Sequence, residues 1–304
     1  MPTTERRLTA ADFHPEVLKL FDQYVHGAID RRAFLDRSAR FAAMGGTTAA
    51  ALLAALNPKF AQAQKVAPGD PRLRTERVDI PAPAGHGHIR ALVARPAQAA
   101  GPLPAVVVVH ENRGLNPHIE DIARRLALEN FIAVAPDGLT PHGGYPGDED
   151  KAREAFAKLD QAKAREDWVA AAHFTRSIAG GNGKLGAIGF CYGGTIVNLL
   201  AVRVPQLVAG VPFYGDPPPL GEVANIKAEL KIFHAGNDQR LLATWPAYDA
   251  ALKAAHVRHS ATIYPGTVHG FHNDTTPRYD ETAARDAWGQ ALALFGRTLR
   301  SPSA

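Results

Sequence analysis

The run Pro104-Ala-Val-Val-Val-Val-His110 is apolar on both faces and β-branched through its middle, the pattern of a strand buried inside a parallel sheet. A chain that carries such a strand must cover both of its faces, and this sequence supplies the covers in alternation. Residues 131–135, 184–190, 207–213, 230–234 and 261–264 repeat the short apolar run. Helical patterns fill most of the gaps, over 119–129, 151–177, 194–202 and 246–255. A last helix over 280–299 has its apolar positions at Ala284, Ala287, Trp288, Ala291, Leu292 and Phe295. Ahead of these, residues 74–80 and 88–94 alternate polar and apolar side chains around a Pro/Gly-rich link, which predicts an antiparallel hairpin. The expectation is an α/β fold, a mostly parallel eight-stranded sheet with helices on both faces, formed by residues 64–304 as one domain.

Composition narrows what such a fold can do. Thirty-four Lys and Arg against 30 Asp and Glu leave a net charge of +4 without a long basic run, so no nucleic-acid partner is expected. The single cysteine, Cys191, excludes an intramolecular disulfide framework and any multi-cysteine metal site. The 13 histidines include the pairs His86/His88, His256/His259 and His269/His272, but none forms a His-Glu-x-x-His motif, and no metal is expected. Gly180-Gly-Asn-Gly-Lys184 precedes a strand instead of following one, which makes it a turn and not a phosphate loop.

The first 63 residues read differently. Val17, Leu20, Phe21 and Tyr24 share one stripe of a short helix over 14–26 that ends at Gly27. Asp30-Arg31-Arg32-Ala33-Phe34-Leu35 then looks like a twin-arginine export motif, residues 41–56 carry no charge, and Ala61-Gln62-Ala63 has the form of a cleavage box. Residues 1–63 are therefore expected to be an N-terminal helix and a twin-arginine-like signal, with the export machinery as partner and the periplasm as destination. The alternative is an Ala-rich helical segment of a cytoplasmic protein.

The chemistry is carried by Gly189-Phe-Cys191-Tyr-Gly193-Gly194, set between a buried strand and a helix. This is a nucleophile elbow with Cys in place of the commoner Ser; glycines flank a strained turn, and the helix N-terminus favours a thiolate. Asp238 ends the strand over 230–234 in a Gly-Asn-Asp loop, and His269 follows the strand over 261–264, giving the chain order nucleophile, acid, base. Asp238 would orient the imidazole and His269 would activate Cys191. Read otherwise, Asp238 is an N-cap, His269 a loop residue and Cys191 core. The backbone N–H groups of Tyr192 and Asn112 are the expected oxyanion donors.

Together, Val106-Val-Val-Val-His-Glu111-Asn-Arg-Gly-Leu-Asn116, the cysteine elbow, the Gly-Asn-Asp loop and His269-Gly-Phe-His272 resemble the dienelactone hydrolase (carboxymethylenebutenolidase) family of α/β-hydrolases over residues 72–300. The resemblance implies hydrolysis of an ester or enol-lactone through a thioester, without a cofactor, and with a glutamate at Glu111 that takes the thiol proton when substrate binds. It also implies an arginine for the substrate carboxylate four residues after the histidine, where this chain has Asn273; Arg113 is a candidate replacement. Tyr145, Tyr214, Trp168 and Phe271 are candidates for an apolar pocket. The competing class is a hydrolase-fold binding or thiol redox protein that uses Cys191 without ester hydrolysis.

Overall fold

The computed structural model describes residues 6–300 and builds one eight-stranded sheet with helices on both sides. In chain order the elements are α1 (Pro15–Val25), α2 (Arg31–Met44), α3 (Ala49–Leu56), α4 (Phe60–Ala63), β1 (Leu73–Ala82), β2 (Gly87–Pro96), β3 (Leu103–Val109), α5 (Pro117–Leu128) and β4 (Ile132–Pro136). They continue with α6 (Glu149–Ala157), α7 (Gln161–Arg176), β5 (Gly181–Phe190), α8 (Tyr192–Arg203), β6 (Leu207–Phe213), β7 (Glu229–Ala235), α9 (Gln239–Ala254), β8 (His259–Tyr264) and α10 (Glu281–Leu299).

The strand order is β1-β2-β4-β3-β5-β6-β7-β8; β1/β2 and β2/β4 pair antiparallel and every other pair is parallel. Both faces of the central strands are buried, as the Val106–Val109 run requires. On one face α5 and α10 bury Ile119, Ile122, Leu126, Phe295 and Leu299 against the sheet. On the other, α7, α8 and α9 bury Trp168, Val197, Leu200 and Leu252. The long helix expected over 151–177 is two helices, because Asp160 turns its side chain back to cap Ala162 and Lys163 and starts α7 afresh. The helix expected from 246 begins at Gln239, where Asp238 caps it, and carries Pro246 inside.

Residues 6–63 fold as a helical layer on this body with a small core of their own, built from Phe13, Val17, Phe21, Tyr24, Phe34, Leu53 and Leu56. The uncharged run 41–56 is not one helix. It breaks between α2 and α3, and the segments Arg31–Met44 and Ala49–Ala63 stand at 101° to each other. Among the described residues no single helix is long and apolar enough to cross a membrane. The layer is tied to the body by Arg31 Nη1 to Asp150 at 2.9 Å, by a Tyr24–Asp150 hydrogen bond, and by Lys59 N donating to Thr275 O at 2.8 Å. Arg278 and Arg153 lie over the rings of Phe21 and Tyr24, at 5.2 and 4.8 Å.

Candidate active site

Cys191 stands between β5 and α8 with φ +57° and ψ −117°, a region that costs a non-glycine residue about 1–3 kcal/mol. The turn is tight enough that a Cβ on Gly189 would overlap the Gly193 carbonyl, and one on Gly193 would overlap that of Val109. These two glycines let α8 leave β5 directly beneath Cys191, whose carbonyl O accepts from Gly194 N at 2.9 Å and Thr195 N at 3.2 Å as the helix begins. Cys191 N donates to Phe213 O at 3.1 Å, which pins the elbow to β6.

The loops after β7 and β8 bring up the other two candidates. His269 Nδ1 lies 2.6 Å from Asp238 Oδ2, and both side chains are buried. Asp238 Oδ1 meanwhile accepts from Leu241 N at 3.3 Å, so Asp238 is at once the cap of α9 and the partner of His269. The other imidazole nitrogen, Nε2, is buried without a hydrogen-bond partner. A ring nitrogen of His269, Cys191 Sγ and a ring nitrogen of His26 all lie within 4.8 Å of one another.

His26 was not among the residues singled out in the sequence. It caps the C-terminal end of α1, and its Nε2 sits 3.3 Å from Cys191 Sγ. Its Nδ1 lies 2.8 Å from Asp22 O and 3.3 Å from Asp22 Oδ1. The two imidazoles meet edge to face with ring centroids 4.7 Å apart. Burial pushes the Cys191 thiol up, but the facing charges of His26 and His269 overcome it and bring the thiol down to about 6. Burial works against both imidazoles, and the Cys191 thiolate with the Asp238 carboxylate raises His269 to about 9. For His26, the thiolate and Asp22 outweigh the same burial and raise it to about 11. Among the described residues this is the one group of three donor side chains close enough to share a cation, but no carboxylate joins it. The donor set fits a thiolate between imidazolium groups at least as well as a metal.

The loop after β3 closes the remaining side. Glu111 Oε2 accepts from Asn273 Nδ2 at 2.8 Å, and Asn273 Oδ1 accepts from Thr275 N and Oγ1 at 3.0 and 2.6 Å. Asn273 therefore fixes the Glu111 carboxylate. Asn112 Nδ2 and Arg113 Nη1 both donate to Val25 O, at 2.7 and 3.3 Å, holding the end of α1 against this loop. Arg113 is buried, 3.6 Å from Glu149. Arg278, also missed in the sequence, is buried with Nε and Nη1 free of hydrogen bonds. Glu111, Asn112, Arg113, Cys191, His269, Asn273 and Arg278 line one cavity of about 30 Å³, together with Phe21, Tyr24 and Val25 of α1.

The aromatic candidates lie outside that lining. Tyr145 bonds Glu149 Oε1 at 2.9 Å and packs near Leu139 and Leu159. Phe271 is core, packed on Tyr214 and Tyr264. Trp168 is core as well, donating from Nε1 to Tyr192 Oη at 3.1 Å. Tyr214 is buried with its ring centroid 4.8 Å from that of His269, so it backs the imidazole instead of the cavity. Short apolar runs give no signal that separates an aromatic in the core from one on a pocket wall.

A nucleophile elbow on β5, with an aspartate and a histidine on the loops after β7 and β8 of a mostly parallel sheet, defines the α/β-hydrolase class. Within it, the model of the dienelactone hydrolase family matches residues 89–299, and the chain belongs to that family. A second family model, described as YqhI-like, matches residues 4–43. The "Putative carboxymethylenebutenolidase" of Escherichia coli (strain K12) is 32% identical over 228 residues, 70% of this chain and 84% of that one. The "Putative hydrolase fragment YghX" of the same organism is 52% identical over 113 residues, 37% of this chain and 97% of that one. A crystal structure described as a "Putative Dienelactone Hydrolase from Klebsiella pneumoniae subsp. pneumoniae MGH 78578" superposes with a TM-score of 0.65 at 30% identity, covering 74% of this chain and 99% of that one. The protein is a carboxylic ester or lactone hydrolase.

Proposed function

We propose that the enzyme works through Cys191, His269 and Asp238 by way of a covalent thioester. The observation that carries this reading is the 2.6 Å His269–Asp238 contact beside a thiol at a positive-φ elbow. The Cys191 thiolate adds to the substrate carbonyl, and the N–H groups of Tyr192 and Asn112 receive the oxyanion. As the tetrahedral intermediate collapses, the carbonyl–oxygen bond to the leaving group breaks and the leaving oxygen takes the proton of His269 Nε2. The neutral His269 then accepts a proton from water, the resulting hydroxide adds to the thioester, and the carbon–sulfur bond breaks to return the thiolate. Asp238 holds the ring through Nδ1 in both halves. Glu111, fixed by Asn273 on the same cavity, is the proposed acceptor of the thiol proton when substrate arrives.

The substrate class we favour is an ester or enol-lactone that carries a carboxylate. Asn273 has no cation to offer, but Arg113 and Arg278 place two guanidinium groups on the cavity wall, and Arg278 has free donors. Turnover of p-nitrophenyl acetate and of enol-lactones, lost in Cys191→Ala and His269→Ala, is the expected result. Failure on every activated ester, enol-lactone and thioester tried would overturn this mechanism.

For residues 1–63 we propose retention in the working enzyme, on the ground that α1 contributes Phe21, Tyr24, Val25 and His26 to the site. Twin-arginine export to the periplasm with a cut after Ala63 is the competing proposal, and would remove all four. The mass of the chain recovered from periplasmic and cytosolic fractions decides between them: a chain beginning at Gln64 supports export, and one that still carries residue 26 supports retention.

A further inference from the structure

We propose that His26, held by Asp22 at the C-terminal end of α1, is a member of the catalytic centre: it takes the Cys191 proton on Nε2 and stands through the cycle as the imidazolium counter-charge of the thiolate. This inference rests on the thiol-hydrolase reading above and assigns a task to the N-terminal layer within it.

The geometry repeats, from a different part of the chain, the arrangement of His269 with Asp238. In each case an aspartate stands at Nδ1: Asp238 through its carboxylate for His269, and Asp22 for His26 through its backbone O at 2.8 Å with its carboxylate oxygen 3.3 Å away. His26 Nε2 lies 3.3 Å from Sγ, within hydrogen-bond reach, whereas His269 Nε2 has no hydrogen-bond partner. Its place in the fold adds to this. The backbone N–H of His26 bonds Asp22 O and Tyr24 O, so the ring sits at the end of α1 where the helix dipole is negative and an imidazolium is favoured. Gly27, with φ +78°, then turns the chain away. The end of α1 is itself fixed by the Asn112 and Arg113 bonds to Val25 O, which come from the loop that supplies one oxyanion donor.

A second imidazole divides the labour. With one histidine, the same ring must take the thiol proton and later give a proton to the leaving group. Here the thiol proton passes to His26 Nε2 in place of Glu111, and the S–H bond becomes an N–H bond facing the thiolate. His269 then serves the leaving group and the water. In acylation the S–C bond forms, the C–O bond breaks and the alcohol leaves with the proton from His269. In deacylation His269 takes a proton from water and the C–S bond breaks. Throughout, His26 keeps its proton and again faces the negative sulfur when the thiolate departs. The net reaction is ester plus water to acid plus alcohol, with His26 unchanged.

The test is the pH dependence of iodoacetamide alkylation of Cys191 in the full chain. Loosening α1 changes access and scales the rate at every pH, whereas the midpoint moves only when the charge beside sulfur changes. The other groups around the sulfur are His269 with Asp238, Glu111, Arg113, Arg240, Asp22 and the Tyr214 phenol, and His26→Gln leaves each of these side chains in place. In the wild type the midpoint is expected near 6. His26→Gln should raise it by at least about one unit, a roughly tenfold loss of thiolate at pH 5, below both midpoints, and a loss of about half at pH 7. Imidazole added to His26→Ala should bring it back down. Asp22→Asn keeps the ring and removes its carboxylate, so a smaller shift in the same direction is expected, and it carries the test if the His26 variants fail to fold. An unmoved midpoint in the folded variants overturns the assignment. The assay needs no ester, so the two readings separate. An active esterase with an unmoved midpoint removes His26 alone; a shifted midpoint in a chain that turns over no ester keeps His26 at the thiol and removes the hydrolase mechanism.

Discussion

The cavity in front of Cys191 is narrow, about 30 Å³, and Phe21, Tyr24 and Val25 of α1 are among its walls. How far access to the sulfur depends on the N-terminal layer is measured by Phe34→Ala. Phe34 is fully buried in the core of that layer, its ring centroid 6.2 Å from that of Phe21 and 5.7 Å from that of Tyr24, and it is neither on the cavity lining nor in contact with the catalytic residues. Truncating a phenylalanine in such a place costs about 3–5 kcal/mol. If opening dissolves this small core, the open state gains by that whole amount, a rise in its population of about two to three and a half orders of magnitude. If only a third of the cost falls on the opening step, about tenfold remains. The assay is the alkylation rate of Cys191 at about pH 8, above the thiol midpoint, where the rate reports access alone. The expected result is an increase of at least about tenfold alongside a lowered melting temperature. A rate within twofold of wild type, in a variant whose layer is demonstrably destabilised, would refute opening by local unfolding; it would mean that the layer swings aside as a unit with its core intact.

Three further predictions rest on single contacts. Asp238→Asn should keep the α9 cap, since Asn caps about as well as Asp, but lose the buried charge behind His269, which lowers kcat by about two to four orders of magnitude and also costs stability; steady-state turnover and thermal melting on one preparation check both effects. Asp274 is buried against Arg125 at 2.7 Å, His118 at 3.2 Å and Lys65 at 3.6 Å, so Asp274→Asn should cost about 3–5 kcal/mol in denaturant titration. Burial raises the Asp274 carboxyl, but His118 and Arg125 hold it well below its ordinary value of 3.8. Its stabilisation is therefore complete above about pH 4 and lost as pH falls toward the lower folded value, an acid limb that should flatten in the variant. Glu111→Gln tells the two proton acceptors apart: with the thiol proton on His26 the acylation burst on an activated ester is kept in the folded variant, and a slowed burst would return that proton to Glu111.

The body of the fold was legible because its signals are local and agree. β-branched runs apolar on both faces can only be interior strands, and the elbow glycines are demanded by a turn so tight that a side chain at Gly189 or Gly193 would strike backbone. Asp238 shows where local reading reaches its limit. The alternative of a helix cap and that of a partner for His269 looked exclusive, but one carboxylate oxygen accepts from Leu241 N and the other meets His269 Nδ1. Asn273 was legible only as the lack of an arginine, whereas its bond to Glu111 joins positions 162 residues apart and leaves no trace in the spacing. Arg278 was passed over because a surface loop and a buried wall have the same composition until the chain is folded.

His26 was hidden for a different reason. The segment that holds it carries a stronger local pattern, the arginine pair followed by an uncharged run, and that pattern says nothing about what packs on it. An Ala- and Leu-rich stretch without charge serves equally as the apolar part of a signal and as a short helix that buries one stripe. The fold uses it in the second way. The break between α2 and α3 turns Leu53 and Leu56 back onto Phe34 and Phe21, while Arg31 of the pair bonds Asp150. Beyond the Ala61–Ala63 box, Lys65 N and Val66 N donate to Asp121 of α5 at 3.1 and 2.8 Å, so the chain stays anchored on both sides of it. A segment tied down at both ends, with its own core and an imidazole 3.3 Å from the only cysteine, supports the proposal that it is kept in the working enzyme. Cleavage at Ala63 would leave a thiol with one histidine and an open cavity. In the intact chain the sulfur lies beside two imidazoles, the surroundings that the proposed thiolate requires.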